Sequence, residues 1–233
     1  MVAMCLGMRQ AFSSRIGRLV LLAALPWGVA AGLAQGTKAQ HGEPPKSQAP
    51  PSGAQPPGSK RILGESIPDN AVERAKLLDN LYAHLATAED ERAAEKTAEA
   101  IHRVWRASGG DTVKVLMDRA HKAVNDKQHA LALKLLDAVV ALAPDYAEGW
   151  SQRAHVLYLE NEAERALGDL RRALALDPNH FKALDALGNI LREIGQPKGA
   201  LKAYEKLLEV HPFWPGASQA FEELMREVGG QGT

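Results

Sequence analysis

Residues 147–180 read AEGWSQRAHVLYLENEAERALGDLRRALALDPNH, and residues 181–214 read FKALDALGNILREIGQPKGALKAYEKLLEVHPFW. Laid over each other they bring Pro178 onto Pro212, and Pro144 falls on the same place one register earlier, so three prolines are 34 residues apart. Twelve residues before each proline is an alanine (Ala132, Ala166, Ala200), and eight before is a large apolar residue (Leu136, Leu170, Tyr204). Twenty-four before is Ala120, Ala154 or Gly188, and four before that is Leu116, Trp150 or Leu184. Self-similarity at one fixed period marks a repeat architecture in which each unit is a supersecondary element that stacks on the next.

Within each period the apolar residues recur every three or four positions twice over, which predicts two helices. The turns between them are polar: Asn125–Gln128, Glu160–Glu162 and Gly195–Lys198. Asn161 and Gly195 share a register position, where a left-handed backbone is expected. The prolines fall between units, where a helix must stop. The repeats are therefore 113–146, 147–180 and 181–214, and Asp145 with Glu148 reads as a capping box.

Upstream, residues 69–110 predict a helical hairpin. Asn70 with Glu73 is a capping-box pattern; Leu77, Leu78, Leu81, Tyr82 and Leu85 form one helical stripe, and Ala94, Ala98, Ile101, Val104 and Trp105 another. Gly109-Gly110 closes it with the residue a left-handed cap favours. Ala98 continues the alanine register, but Gly110 replaces the proline, so the hairpin is either a degenerate repeat or an N-terminal cap. Downstream, residues 215–228 predict a capping helix with Ala217, Phe221, Leu224 and Val228 on its inner face.

The N-terminus has a different character. Arg9, Arg15 and Arg18 precede an apolar run from Leu19 to Ala34, broken by Pro26 and Gly28. Residues 1–34 read as a secretory signal, with small residues Gly32 and Ala34 before a cut at Gln35; left uncut, the same run is the chain's one contact with a membrane. Residues 35–66 are rich in Pro, Gly, Ser and Gln and read as a disordered linker. The one cysteine, Cys5, lies in the leader, so thiol-based metal or nucleophile chemistry has no place in the remainder.

Formal net charge is zero, without the basic excess of a nucleic-acid binder. No phosphate loop, Gly-x-Ser-x-Gly elbow or His-Glu-x-x-His occurs, and carboxylate pairs such as Glu162 and Glu164 fall in solvated turns. The reading is of a protein that is not an enzyme and has no cofactor and no metal site.

The residues of the three units resemble the tetratricopeptide repeat family, whose pattern runs W-x2-L-G-x2-Y, then A, F, A and P. The third unit matches with Leu184, Leu187, Gly188, Leu191, Ala200, Tyr204 and Pro212, and the second with Trp150, Ala154, Leu157, Ala166, Leu170, Ala173 and Pro178. The first has Leu116, Ala120, Ala132, Leu136 and Pro144. The resemblance implies an all-α solenoid whose first helices line a concave face. In the family's register that face comprises Lys114, Met117, His121, Val124, Glu148, Ser151, His155, Tyr158, Lys182, Asp185, Asn189 and Arg192. The plan of leader, Pro-rich tether and short array is similar to secreted bacterial members, which implies a periplasmic or secreted location.

Arg119 and Arg153 depart from the pattern, which favours Leu there. A charge beside the hairpin seam must either reach water or pair with a carboxylate, and Asp137 and Asp169 are the candidates. The clamp by which some members hold acidic chaperone tails is also missing, since Met117, His121, Gln152 and Ala186 stand where it needs Lys, Asn or Arg. Two functions follow from the resemblance. One is a scaffold of the cell envelope that binds a peptide or helix of a partner protein in the groove. The other is an assembly subunit that packs through its convex face or capping helix in a larger complex or homo-oligomer.

Overall fold

The computed structural model describes residues 66–230 together with Leu63, all within one compact unit that spans 51–233. The leader read at 1–34 and all but the end of the linker read at 35–66 lie outside the described residues. Among the latter are nine α-helices and no strand: α1 (Ala71–Ala86), α2 (Glu91–Ser108), α3 (Gly110–Asn125), α4 (His129–Leu142), α5 (Ala147–Leu159), α6 (Ala163–Leu176), α7 (Phe181–Glu193), α8 (Pro197–Val210) and α9 (Ala217–Gly230). None is long and apolar enough to cross a membrane.

Helices α3–α4, α5–α6 and α7–α8 form three antiparallel pairs stacked side by side, and α9 covers the last. The same backbone device closes each first helix. Lys127, Asn161 and Gly195 take φ of 57°, 61° and 72°. The next amide then donates back across the turn, from Gln128 to Ala123, Glu162 to Leu157 and Gln196 to Leu191, at 2.7, 2.9 and 2.8 Å. These bonds satisfy carbonyls that the helix end leaves unpaired. Between units the chain makes a β-turn with proline in its second position. Tyr146, His180 and Trp214 donate to the carbonyls of Ala143, Asp177 and His211 at 3.1, 3.1 and 3.0 Å. Proline suits that place because its fixed φ is already the one required.

The seam of each pair is made of small residues. Ala120, Ala132, Ala154, Ala166 and Ala200 are fully buried. Gly188 goes one step smaller for a visible reason: a Cβ there would come within 2.7 Å of the Tyr204 ring, which replaces the leucine of the earlier pairs. Helix approach and side-chain bulk compensate at this position.

The two arginines behave differently. Arg153 is clamped between consecutive second helices, with Nε and Nη2 on the Asp169 carboxylate at 2.7 and 2.8 Å and Nη1 on Asp137 at 2.9 Å. The Trp150 ring lies 4.9 Å from its guanidinium. Arg119 is exposed and makes no ion pair among the described residues. The register explains the difference. The positions sixteen before and after Arg153 are Asp137 and Asp169, whereas those around Arg119 are Arg103 and Leu135.

The N-terminal hairpin does not extend the stack. Had α2 packed on α3 as α4 packs on α5, Arg103 would take the place of Asp137 and meet Arg119, a like charge. Trp105 would take the place of Val139, which rests against Gly149, and would meet Val115 instead. Overpacking and charge repulsion both oppose that arrangement. Instead α1–α2 lies across the loops between units. Leu81, Leu85, Ile101 and Trp105 share one core with Phe181, Leu184, Tyr204, Leu207 and Val210 of the third pair, while α3 and α4 have a core of their own. Trp105 stacks face to face on His180 at 4.0 Å and 2°. Asp177 accepts from the Tyr82 hydroxyl at 2.5 Å and from the Trp105 indole at 3.3 Å.

The capping patterns are half realised. Asn70 accepts from the Val72 amide at 2.7 Å, but Glu73 turns to Lys76. The expected box at Asp145 does not form: Tyr146 occupies the cap position without a side-chain bond. Glu148 is drawn inward instead, because a buried histidine of the next loop offers it a partner.

Candidate functional site

The first helices α5 and α7 touch directly, which turns the face bearing Tyr158 and Glu193 to the inside of the array. Twelve residues are expected on that face, and the packing divides them. Met117, Glu148 and Ser151 are buried. Met117 belongs to the core of the first pair. Glu148 accepts from Gln152 at 2.8 Å, and its other oxygen is 2.9 Å from His180 Nε2. Burial would raise the carboxyl's pKa, but His180, Lys182 and Gln152 outweigh it and hold the group below the usual carboxylate range.

The remaining nine keep some access to water: Lys114, His121, Val124, His155, Tyr158, Lys182, Asp185, Asn189 and Arg192. The third pair gathers its members most closely. Asp185, Asn189 and Arg192 line an open cavity of about 470 Å³ together with Gln219 and Glu223 of α9, and Glu223 is 3.7 Å from the Arg192 guanidinium. Asn189 is braced by the Tyr204 hydroxyl, which donates to it at 2.8 Å. Partial burial lifts the Asp185 pKa above the ordinary carboxylate value, against the opposing pull of Trp214, Asn189 and Arg192. In the second pair, Tyr158 donates to Glu193 at 2.5 Å and so ties neighbouring first helices together. His155 keeps access to water. Withdrawal of the ring from water, with the positive charges of His129 and Lys182, holds its pKa below the usual histidine value.

This is a surface of alternating charge around a few half-buried hydrogen-bonding groups. It can grip backbone amides and side chains of an extended chain. No group of three or more His, Cys, Asp or Glu is placed to hold a metal among the described residues.

One cluster escaped the sequence reading. Tyr146, His180 and Trp214 occupy the same register position, so every loop between units carries a ring. Trp105 meets the rings of His102, His180 and Phe181, and Phe181, His211 and Trp214 meet one another, with centroids of the touching pairs 4.0–5.4 Å apart. The 34-residue spacing of the loop rings was available as a signal. The partner of His180 was not, because Trp105 is 75 residues away in the chain.

Two tetratricopeptide repeat family models match the chain, one at residues 147–180 and one at 181–212. A TPR repeat-containing protein of Rhizobium etli is 33% identical over 156 residues, which cover 67% of this chain and 76% of that protein. The small glutamine-rich tetratricopeptide repeat-containing protein 2 of Saccharomyces cerevisiae is 28% identical over 92 residues, 40% of this chain and 27% of that one. Among solved structures, the Sgt2 TPR domain of Aspergillus fumigatus aligns with a TM-score of 0.49 at 24% identity, covering 52% of this chain and 82% of that one.

Proposed function

Since the chain belongs to the tetratricopeptide repeat family, we propose that it is a protein-interaction scaffold whose concave groove holds an extended peptide or a helix of a partner. The observation that carries this reading is the cavity between α7 and α9, where Asp185, Asn189 and Arg192 present donors and acceptors side by side. A peptide backbone needs both, at short intervals, and side chains of either charge find a complement there. The buried end of the same face, at Met117, Glu148 and Ser151, supports the helices rather than a ligand. Contact therefore concentrates toward the second and third pairs.

The groove does no chemistry on this reading. Its buried carboxylate Glu148 is held by His180, and Glu193 takes the Tyr158 hydroxyl. We place the scaffold in the bacterial cell envelope on the strength of the leader pattern at residues 1–34. N-terminal sequencing of exported protein beginning at Gln35 supports that location, and an intact Met1 chain recovered from the cytosol overturns it.

The groove is tested by capture from an envelope extract with the immobilised chain. Tyr158→Ala combined with Arg192→Ala removes two groove side chains together with their ties to Glu193 and Glu223, and leaves the buried small-residue seams intact, which circular dichroism of the variant verifies. A partner retained by the wild-type chain and lost by the double variant supports the groove. A partner held equally by both moves the interaction to another face.

A further inference from the structure

The first unit has an open stacking edge. In the second unit the corresponding face of α5 is covered by α4: Gly149 lies against Val139, and Arg153 takes the carboxylate of Asp137. In the first unit the same positions are Val115 and Arg119. Val115 is 52% exposed, and Arg119 has no carboxylate partner among the described residues. The apolar surface continues onto α4. Leu135 stands at the register position of Asp169, which bonds Arg153, so it borders Arg119. Leu131 and Leu142 lie on the helical stripe of Leu135 and are 45% and 61% exposed. The hairpin that could have covered this edge offers Arg103 and Trp105, of the wrong charge and size, and is committed elsewhere.

We propose that this edge, separate from the groove, docks an α-helix of another protein that carries a carboxylate followed two residues later by a small β-branched pair, the pattern of Asp137, Val139 and Val140. The molecule itself supplies the complement. An unpaired cation beside leucines and a valine asks for a carboxylate set in an apolar helical face. The array shows one such helix filling the equivalent face at the next register. A neutral apolar helix would bury the surface and leave Arg119 without a counter-charge, which is costly once water is excluded. A basic helix would repeat the conflict that turns α2 away.

The test uses the full chain and a helix-stabilised, fluorescently labelled peptide copying residues 129–146, read by fluorescence anisotropy. Saturable binding is expected, weakened about tenfold or more by Arg119→Glu and by Val115→Glu, since each sets a carboxylate against the peptide's own or into the apolar contact. A peptide with Lys in place of Asp137 should bind Arg119→Glu better than it binds the wild-type chain. Both substitutions are at exposed positions, and the charge exchange keeps the test decisive should either variant be less stable. Tyr158→Ala in the groove should leave the peptide's affinity unchanged. Absence of saturable binding, or equal binding to the wild-type chain and both edge variants, overturns the proposal. So does loss of binding in Tyr158→Ala, which would put the peptide in the groove. If the wild-type chain runs as a dimer on a sizing column and Val115→Glu as a monomer, the occupant is a second copy and the proposal fails in that form.

Discussion

Helices α1–α2 and α3–α4 are both antiparallel pairs of similar length, and both carry the alanine register, at Ala98 and Ala132. One is a unit of the array and the other lies across it. The difference is in what each second helix presents sixteen residues from the neighbouring arginine. Asp137 faces Arg153 and locks α4 to α5, while Arg103 would face Arg119 and cannot lock α2 to α3. The hairpin finds its stability in rings, through Trp105 on His180 and through the shared carboxylate of Asp177. Stacked units depend on their neighbours through nearest-neighbour contacts; the hairpin depends on a core shared with the third pair, in which Trp105 is the largest buried side chain.

The largest effect should come from removing that side chain. Trp105 is almost fully buried, and Trp105→Ala should cost about 3–5 kcal/mol of hairpin docking. Hydrogen exchange should rise throughout α1 and α2 while α5–α8 keep their protection. Uniform loss of protection would mean that the hairpin and array are one cooperative unit. The next effect belongs to the array. Asp169→Ala removes two of the three bonds to Arg153 and leaves a half-buried cation with a single exposed partner, at about 2–3 kcal/mol. Denaturant unfolding followed on the second and third pairs checks it.

Acidification should separate the two regions as well. Burial, with Lys182 nearby, pushes the pKa of His102 down from 6.5 to about 4; Arg106 and His180 add to this, and Glu148 opposes it. The released hairpin takes up the proton first, so docking is at full strength above pH 6.5 and weakens as pH falls from there toward 4. The loss at pH 5 should be roughly 2 kcal/mol, visible as faster exchange in α1–α2 before the array responds. Smallest of all should be Arg119→Ala, within about 0.5 kcal/mol because the side chain is exposed and unpaired. A larger loss would mean that Arg119 is engaged after all.

The repeats were legible because their determinants are local. The proline turns, the left-handed residues at Asn161 and Gly195 and the small seam residues each act within one 34-residue period, so spacing alone exposes them. Lys127 shares that left-handed position without advertising it, since lysine carries no conformational signal there. The hairpin's helices were equally legible, and its placement was not. Tyr82 meets Asp177 across 95 residues, and no periodicity reports such a contact. Glu148 shows the same limit at the candidate site. Its position suggested both a helix cap and a groove contact, and His180 from the next loop outcompetes both roles. Arg153 lay between these cases: its need for a carboxylate and both candidates could be read from spacing, although only the packing decided between pairing and escape to water.

The central claim is that α1–α2 crosses the loops between units instead of stacking on α3. It is tested most directly by spin-label distances in a Cys5→Ser background. One label pair is placed at Ala83 and Lys206, which line one cavity between α1 and α8. The other is at Arg103 and Arg119, the positions that stacking would bring together. A short, narrow distance for the first pair and a longer one for the second is the predicted result. A short distance between 103 and 119 with a long one between 83 and 206 would contradict it.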